Sequence, residues 1–466
     1  MKGSVGKRGR SLKILWVKAG GLVPLDTGGK IRSYNILRSL SRRHEVTFFT
    51  VYSNHANDTH GELDQVFARV IRHPLSLPRP KSIGGLSQFV GSVFSQEPYQ
   101  VFKYSAPEVT MSLLQVLQSE PFDVLVCDFL AAAGIIPWHF PCPKVLFTHN
   151  VEATIWKRHL EVARNPFWKA ICWREHRATA LAERRYLNLA DHVLTVSDAD
   201  RDQFAQTIAP AKISVIPTGV DIDLFRPVAG EEPNTLVFSG SMDWMPNEDG
   251  ILYFVQEILG RIRKLIPSVS VVVVGRNPSS RLLEMGRKTA GMNVTGLVED
   301  VRPYIQRGAV YVVPLRVGSG TRLKIFEAMA MGKAVVSTTI GAEGLPVRHG
   351  ENILIADTPD EFAGAVVELL RDSVRRTSLG QAARELVVRG HSWDSVGRHF
   401  ESVLETFARM GGRPSATRRT FGLDFAGDCA FRSITQCAVP VSAVARTAAP
   451  REALPSSANC LLDHRK

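Results

Sequence analysis

Residues 314–332, PLRVGSGTRLKIFEAMAMG, hold the densest group of side chains able to do chemistry. An apolar run ends at Leu315 and a turn with Gly318, Ser319 and Gly320 follows. A helical pattern then opens near Thr321 and stops before Gly332, a residue suited to the end of a helix. Free backbone N–H groups and the dipole at such an N-terminus attract phosphate. Arg322 and Lys324 fall in the first turn, where a cation opposes the dipole, so they point to an anionic ligand that offsets them. Lys324 and Glu327 are three residues apart and share one helix face. A cation for phosphate and, one turn deeper, a carboxylate for sugar hydroxyls would match a nucleoside diphosphate. For the pair alone, the competing reading is a solvated Lys–Glu pair on an ordinary helix.

Such a segment needs a sheet to hold it. The chain alternates short β-rich runs with longer helical patterns, which means parallel strands joined by crossover helices. In the first half, strands are expected at residues 11–17, 45–50, 122–127, 144–148, 192–196 and 213–216. Residues 217–233, rich in Pro, Gly and acid, read as a linker. The second half has expected strands at 235–239, 268–275, 293–298, 309–315, 334–338 and 352–356, with helices at 248–266, 279–290, 300–307, 322–331 and 359–372. The chain reads as an α/β protein with two doubly wound domains, residues 12–216 and 234–391, facing each other across a cleft. Ligands of such sheets bind at the carboxyl ends of the strands. Gly28 and Gly29 lie in the loop after the first strand, where glycine permits close backbone approach to a ligand. His149 ends a strand on the cleft side, and Asp128 ends the preceding one. A helix over 392–410 closes the body. Residues 411–466 lose periodicity and read as a disordered tail.

Composition sets the limits. Of 466 residues, 44% are apolar and 22% charged, which excludes whole-chain disorder. No apolar run approaches ~18 residues, so no spanning helix is expected. The net charge of +12 sits mostly at the ends, with +5 in residues 1–13 and +4 in 411–466, so no nucleic-acid groove is implied. The six cysteines form no disulfide framework, and Cys127, Cys142 and Cys172 lack metal-ligand spacing, which suits a reducing compartment. The N-terminal LKILWV is too short for a signal peptide and reads as a first buried strand. Asp221 and Asp223 match an Asp-x-Asp pattern but sit in the linker and read as structural.

The ordered stretches GGKIRSYNILRSLSRRHEVTFFT, FTHNVE, VSDADRDQF, ISVIPTGVDIDLFRP, SGSMDWMPNEDGI and GSGTRLKIFEAMAMGKAVVSTTIGAEGL resemble the family 4 glycosyltransferases of the GT-B fold over roughly residues 12–405. The resemblance implies a retaining, metal-independent transferase, with no cofactor, a nucleotide-sugar donor held by the second domain and an acceptor held by the first. Glu327 fits the second of the family's two glutamates, which holds the donor ribose. The first would fall at Ser319, so that glutamate is missing. Ser319 and the amides of Gly320 and Thr321 are the groups left to take its place. The basic pair usual after the first strand of the second domain is also absent, since that loop reads Ser239-Gly240-Ser241-Met242. Arg322 and Lys324 would then supply the positive charge, with Ser241 at the donor. Arg276 would flank the nucleobase, and the turn ending at Val298 would offer backbone groups to it. The Gly28–Gly29 loop would face the donor phosphate and the transferred sugar. His149 would hydrogen-bond the sugar or help deprotonate the acceptor.

The expected function is transfer of one sugar to a glycan or lipid-linked acceptor, in polysaccharide or glycolipid synthesis, in the cytoplasm. A nucleotide-sugar epimerase of the same fold and an inactive nucleotide-sugar-binding protein are the alternatives. Residues 155–190 place Trp156, Trp168 and Trp173 among eight Lys/Arg and three Glu, with Pro166 dividing two helical pieces. Basic helices with interleaved Trp lie at membrane interfaces, or else their tryptophans pack on their own domain. On the first reading the protein associates peripherally with the inner face of the membrane and is released from anionic vesicles by high salt.

Overall fold

Parallel strands covered on both faces appear in a sequence as short runs of Val, Ile, Leu and Phe without alternation. A computed structural model describes residues 10–25, 27–53, 60–78, 82–163, 165–317 and 322–411. The expected tail and Ser319, Gly320 and Thr321 lie outside the described residues, which all belong to the compact unit Met1–Pro414.

The first sheet is built from β1 (Lys13–Ala19), β2 (Glu45–Ser53), β3 (Arg69–Leu75), β4 (Val124–Asp128), β5 (Lys144–Phe147), β6 (His192–Thr195) and β7 (Ile213–Val215). Its helices are α1 (Gly28–Leu40), α2 (Ile83–Phe94), α3 (Tyr99–Phe102), α4 (Pro107–Ser119), α5 (Glu152–Val162), α6 (Pro166–Leu189) and α7 (Asp198–Phe204). The second sheet holds β8 (Thr235–Ser239), β9 (Ser270–Val274), β10 (Met292–Val294), β11 (Val310–Val313), β12 (Ala334–Ser337) and β13 (Leu354–Ile355). With it go α8 (Met245–Tyr253), α9 (Leu259–Leu265), α10 (Ser280–Lys288), α11 (Arg302–Arg307), α12 (Leu323–Ala330), α13 (Pro359–Arg371) and α14 (Ser373–Gly390), and α15 (Trp393–Gly411) follows.

The strand orders are β3-β2-β1-β4-β5-β6-β7 and β10-β9-β8-β11-β12-β13, with parallel pairing throughout. Each order reverses once, between β1 and β4 and between β8 and β11, and a crevice opens at the carboxyl ends of the strands there. Alternate residues of β1 feed opposite cores: Ile14 and Trp16 join one cluster, Leu15 and Val17 the other.

Several elements differ from the sequence expectation. Strand β3 and helices α2, α3, α4, α7 and α14 have no counterpart in it. Strand β3 is an edge strand that carries Arg69, Arg72 and Pro74, so it lacks an apolar run. Helix α14 meets its neighbour through Gly380, where a Cβ would stand 2.1 Å from the Gly332 carbonyl oxygen. Gly28 and Gly29 are the first two residues of α1, capped by Thr27, rather than part of a loop. Strand β10 ends at Val294, because Gly296 turns with φ of 73°, and this leaves Val298 outside any strand. Helix α15 returns to the first sheet. Its Val396, Phe400 and Leu404 pack with Trp16, the Trp16 and Phe400 rings lying 5.5 Å apart. Gly219 makes that return possible, since a Cβ there would sit 2.4 Å from the Trp393 ring.

Candidate functional site

The crevice of the second sheet is bounded by the loop after β8 and by the start of α12. Arg322 caps α12 rather than lying in its first turn, with extended φ and ψ of −94° and 95°. Its guanidinium is buried and stands 5.5 Å from the Trp244 ring centre. Burial lowers its pKa to about 10, with Glu343 opposing, so it keeps its charge. Lys324, in the first turn, donates from Nζ to Asn247 Oδ1 at 2.5 Å and lies 4.3 Å from the Phe238 ring centre. Asn247 in turn donates to the Ser241 carbonyl at 2.8 Å. A Cβ on Gly240 would be 2.7 Å from Lys324 Nζ, so the ammonium lies directly on the β8 loop. Burial lowers the Lys324 pKa to about 7, helped by Arg322, and raises that of Glu327 to about 7 against the pull of Lys324. A buried ammonium so close to losing its proton gains by meeting an anion.

Ser241 and Arg276 come together. The Arg276 Nε donates to Ser241 Oγ at 2.7 Å, and the guanidinium lies 3.7 Å from Asp243. Ser241 itself donates to Asp243. Val298 is half-buried and packs against the core of the second sheet. Asn247 was missed by sequence reasoning. The available signal was an amide in the first turn of a helix opening beside a strand end.

The crevice of the first sheet holds a buried polar network. Asp128, at the end of β4, accepts from Lys18 Nζ at 2.9 Å, Ser33 Oγ at 2.6 Å and Trp16 Nε1 at 3.0 Å. Its other oxygen lies 2.7 Å from His149 Nε2. Burial alone would raise the Asp128 pKa, but Lys18 and His149 win and hold it far below the usual carboxylate range. His149 Nδ1 lies 3.1 Å from an Arg32 nitrogen, which only donates. The Nδ1 therefore accepts, and Nε2 carries the proton that goes to Asp128. Burial depresses the His149 pKa to about 3, against the pull of Asp128. With both nitrogens engaged and a basicity this low, the ring orients its neighbours and is not placed to accept a proton. It stacks on Phe129 with centroids 3.7 Å apart, and Phe129 fills the space where a Gly29 side chain would be, 2.4 Å from that Cβ position.

The two crevices face each other. A Cβ on Gly28, at the start of α1, would lie 2.9 Å from Leu323 Cδ1 at the start of α12. The N-termini of the two helices thus approach across the cleft. Alongside, Arg158 of α5 forms two 2.7 Å bonds to Glu343. A polar groove of about 600 Å³ opens next to this pair between α5, α6 and α7, lined by Thr154, Lys157, Glu161, Arg184, Gln203 and Thr207 among others.

Among the described residues, one cluster has metal-ligand chemistry: His44, Glu401 and Glu405. His44 Nδ1 accepts the Leu12 N–H, so Nε2 carries the ring proton and faces Glu401 at 3.1 Å. Arg43 and Arg409 neutralise the two glutamates. This is an ion-pair cluster joining α15 to the first domain. Asp221 Oδ1 accepts from the backbone of Asp223 and Leu224, a structural turn.

Comparison with known proteins adds five findings. Residues 27–224 match the family described as Glycosyltransferase Family 4, and residues 233–372 match Glycosyl transferases group 1, together more than two thirds of the chain. A phosphatidyl-myo-inositol mannosyltransferase of Mycobacterium tuberculosis is 28% identical over 233 residues, 47% of this chain and 61% of that protein's length. Sucrose-phosphate synthase from Thermosynechococcus elongatus superposes with a TM-score of 0.65 at 18% identity, over 85% of this chain and 99% of that one. Anabaena HepE in complex with UDP-glucose gives 0.60 at 15% identity, over 85% and 100%.

Proposed function

The chain belongs to the family 4 glycosyltransferases of the GT-B fold, and from that premise we propose that it moves a sugar from a nucleotide-sugar donor to a glycan or lipid-linked acceptor. The observation that carries this reading is the meeting of Gly28 and Leu323, which points two helix N-termini into one crevice beside Lys324 and Glu327. A donor diphosphate there meets backbone N–H groups from both domains and the Lys324 ammonium, which stabilise the charge that grows as the sugar leaves. Glu327 accepts from a donor hydroxyl.

Transfer proceeds with retention, the leaving phosphate taking the acceptor proton on the face from which it departs. This assignment leaves His149 as a positioning residue, in keeping with its two engaged nitrogens. Since Lys324 and Arg322 supply positive charge from the protein, turnover is expected to survive EDTA. The acceptor lies against the first domain, and the polar groove beside Arg158 offers hydroxyl, amide and cationic partners for a glycan. No described helix is long and apolar enough to cross a membrane. We place the enzyme in the cytoplasm, at the inner membrane face when its acceptor is lipid-linked.

The test is a thermal-shift panel with UDP, GDP, ADP and TDP, with and without EDTA. A ligand at 100 times its dissociation constant adds ~2.7 kcal/mol of stability. One nucleotide is expected to stand out and to be unaffected by EDTA. No shift with any nucleotide would overturn the transferase reading.

A further inference from the structure

Helix α2 is built inside out. Its twelve residues, IGGLSQFVGSVF, carry no charge. The inward side is small and polar: Ser92 is fully buried and donates to the Phe89 carbonyl, and a Cβ on Gly91 would stand 2.9 Å from the Phe102 ring. The outward side is apolar, with Ile83 89%, Leu86 63%, Val90 44% and Phe94 83% exposed. An amphipathic surface helix ordinarily turns its apolar stripe to the core. Here that stripe has no partner among the described residues.

Helix α6 is its neighbour. Arg174 reaches from α6 to the Glu97 carbonyl just beyond α2 at 2.7 Å and lies 5.7 Å from the Phe89 ring centre. The exposed side of α6 mixes Phe167, Trp168, Trp173 and Leu181 with Lys169 and Arg177, and Arg177 sits 5.2 Å from the Trp173 ring centre. The acids within reach are already used. Glu97 pairs with Arg185, and Glu175 is buried beside Arg174. An uncharged apolar face next to aromatic side chains and to cations with no ion pair among the described residues matches the boundary between anionic headgroups and acyl chains.

We propose that α2 is a membrane-insertion element, which lays its Ile83, Leu86, Val90 and Phe94 face into the interface of an anionic bilayer while Lys169 and Arg177 of α6 meet the headgroups. This rests on the reading of a lipid-linked acceptor. It also alters the expectation drawn from residues 155–190 alone. Attachment through cations is lost at high salt, whereas insertion of an apolar face resists it.

The test is flotation of the full chain with vesicles of phosphatidylcholine and phosphatidylglycerol, at low and high salt. It compares wild type with the double variant Ile83→Glu, Phe94→Glu. Both side chains are more than four-fifths exposed, so the fold does not depend on them. Wild type is expected to float at low salt and to keep part of its binding at high salt. In the double variant the partition coefficient is expected to fall at least about tenfold at both salt levels. Its thermal shift with nucleotide is expected to stay unchanged. Wild type that does not float, or a variant that floats equally well, overturns the proposal. So does a wild-type dimer that the double variant converts to monomer without any flotation, which would assign the face to a second copy. If no nucleotide binds but insertion persists, the catalytic reading fails and the surface stands.

Discussion

Acidification is expected to destabilise the protein through His149. The ring is buried and its pKa is depressed to about 3 from the ordinary 6.5, chiefly by burial. Between those values the unfolded chain binds a proton that the folded protein refuses, so stability falls as pH falls through 6.5 and levels off only near 3. From about pH 7.5 to about pH 5 this one group removes about 2 kcal/mol of folding stability. Asp128 acts in the same direction but over a lower range of pH. Its depressed carboxyl contributes stability that is kept above the ordinary carboxylate range and lost only at lower pH, outside this window. The perturbation is His149→Gln, whose amide can both donate to Asp128 and accept from Arg32 but does not titrate. Urea denaturation of both proteins at the two pH values gives a double difference in which other titrating groups cancel. The variant is expected to lose about 2 kcal/mol less than wild type on acidification, whatever its stability at neutral pH. Equal losses in both proteins would refute the buried neutral imidazole, and with it the exclusion of His149 as a proton acceptor.

Three further outcomes follow from the site. In Lys324→Met, nucleoside diphosphate affinity is expected to fall about tenfold or more, the worth of a charge-assisted hydrogen bond, as read by calorimetry. Since the Lys324 pKa is about 7 and an anion raises it, wild type should take up protons on binding near neutral pH and bind more weakly as pH rises. Calorimetry in buffers of different ionisation enthalpy measures that uptake, and Lys324→Met should lack it. In Gly28→Val, the new side chain would meet Leu323 and hold the helix ends apart, so turnover should drop at least about tenfold while the melting temperature moves little, since the contact lies at the cleft.

The strands at the centre of both sheets were legible because burial on two faces demands unbroken apolar runs, and β1, β8, β9 and β11 have them. The start of α12 was legible to within two residues, since a glycine-rich turn precedes it and Gly332 follows it. Helix α2 was not, because its apolar residues face outward and three glycines interrupt its pattern. The polar network of the first domain was equally hidden. Lys18, Ser33, Asp128 and His149 come from four elements and are joined only by the order in which β1, β4 and β5 lie side by side. His149 was singled out as a strand-end residue, but spacing along a chain carries no information about the two partners that fix its tautomer.

The same limit applies to the missing base after β8. Taken alone, Ser241 in a loop where the family resemblance leads one to expect a basic pair reads as a damaged donor site. In three dimensions a cation reaches the same loop from another element. Lys324 crosses from α12 to rest 2.7 Å from the position a Gly240 Cβ would take, and Asn247 ties it to the Ser241 carbonyl. A second cation at position 241 would face an ammonium already depressed by burial and by Arg322, and would depress it further. Serine at 241 and lysine at 324 are therefore one arrangement. A base restored in Ser241→Lys is expected to weaken nucleotide binding in wild type and to strengthen it in Lys324→Met. Calorimetry showing that Ser241→Lys strengthens binding in both backgrounds would mean that the two positions act independently.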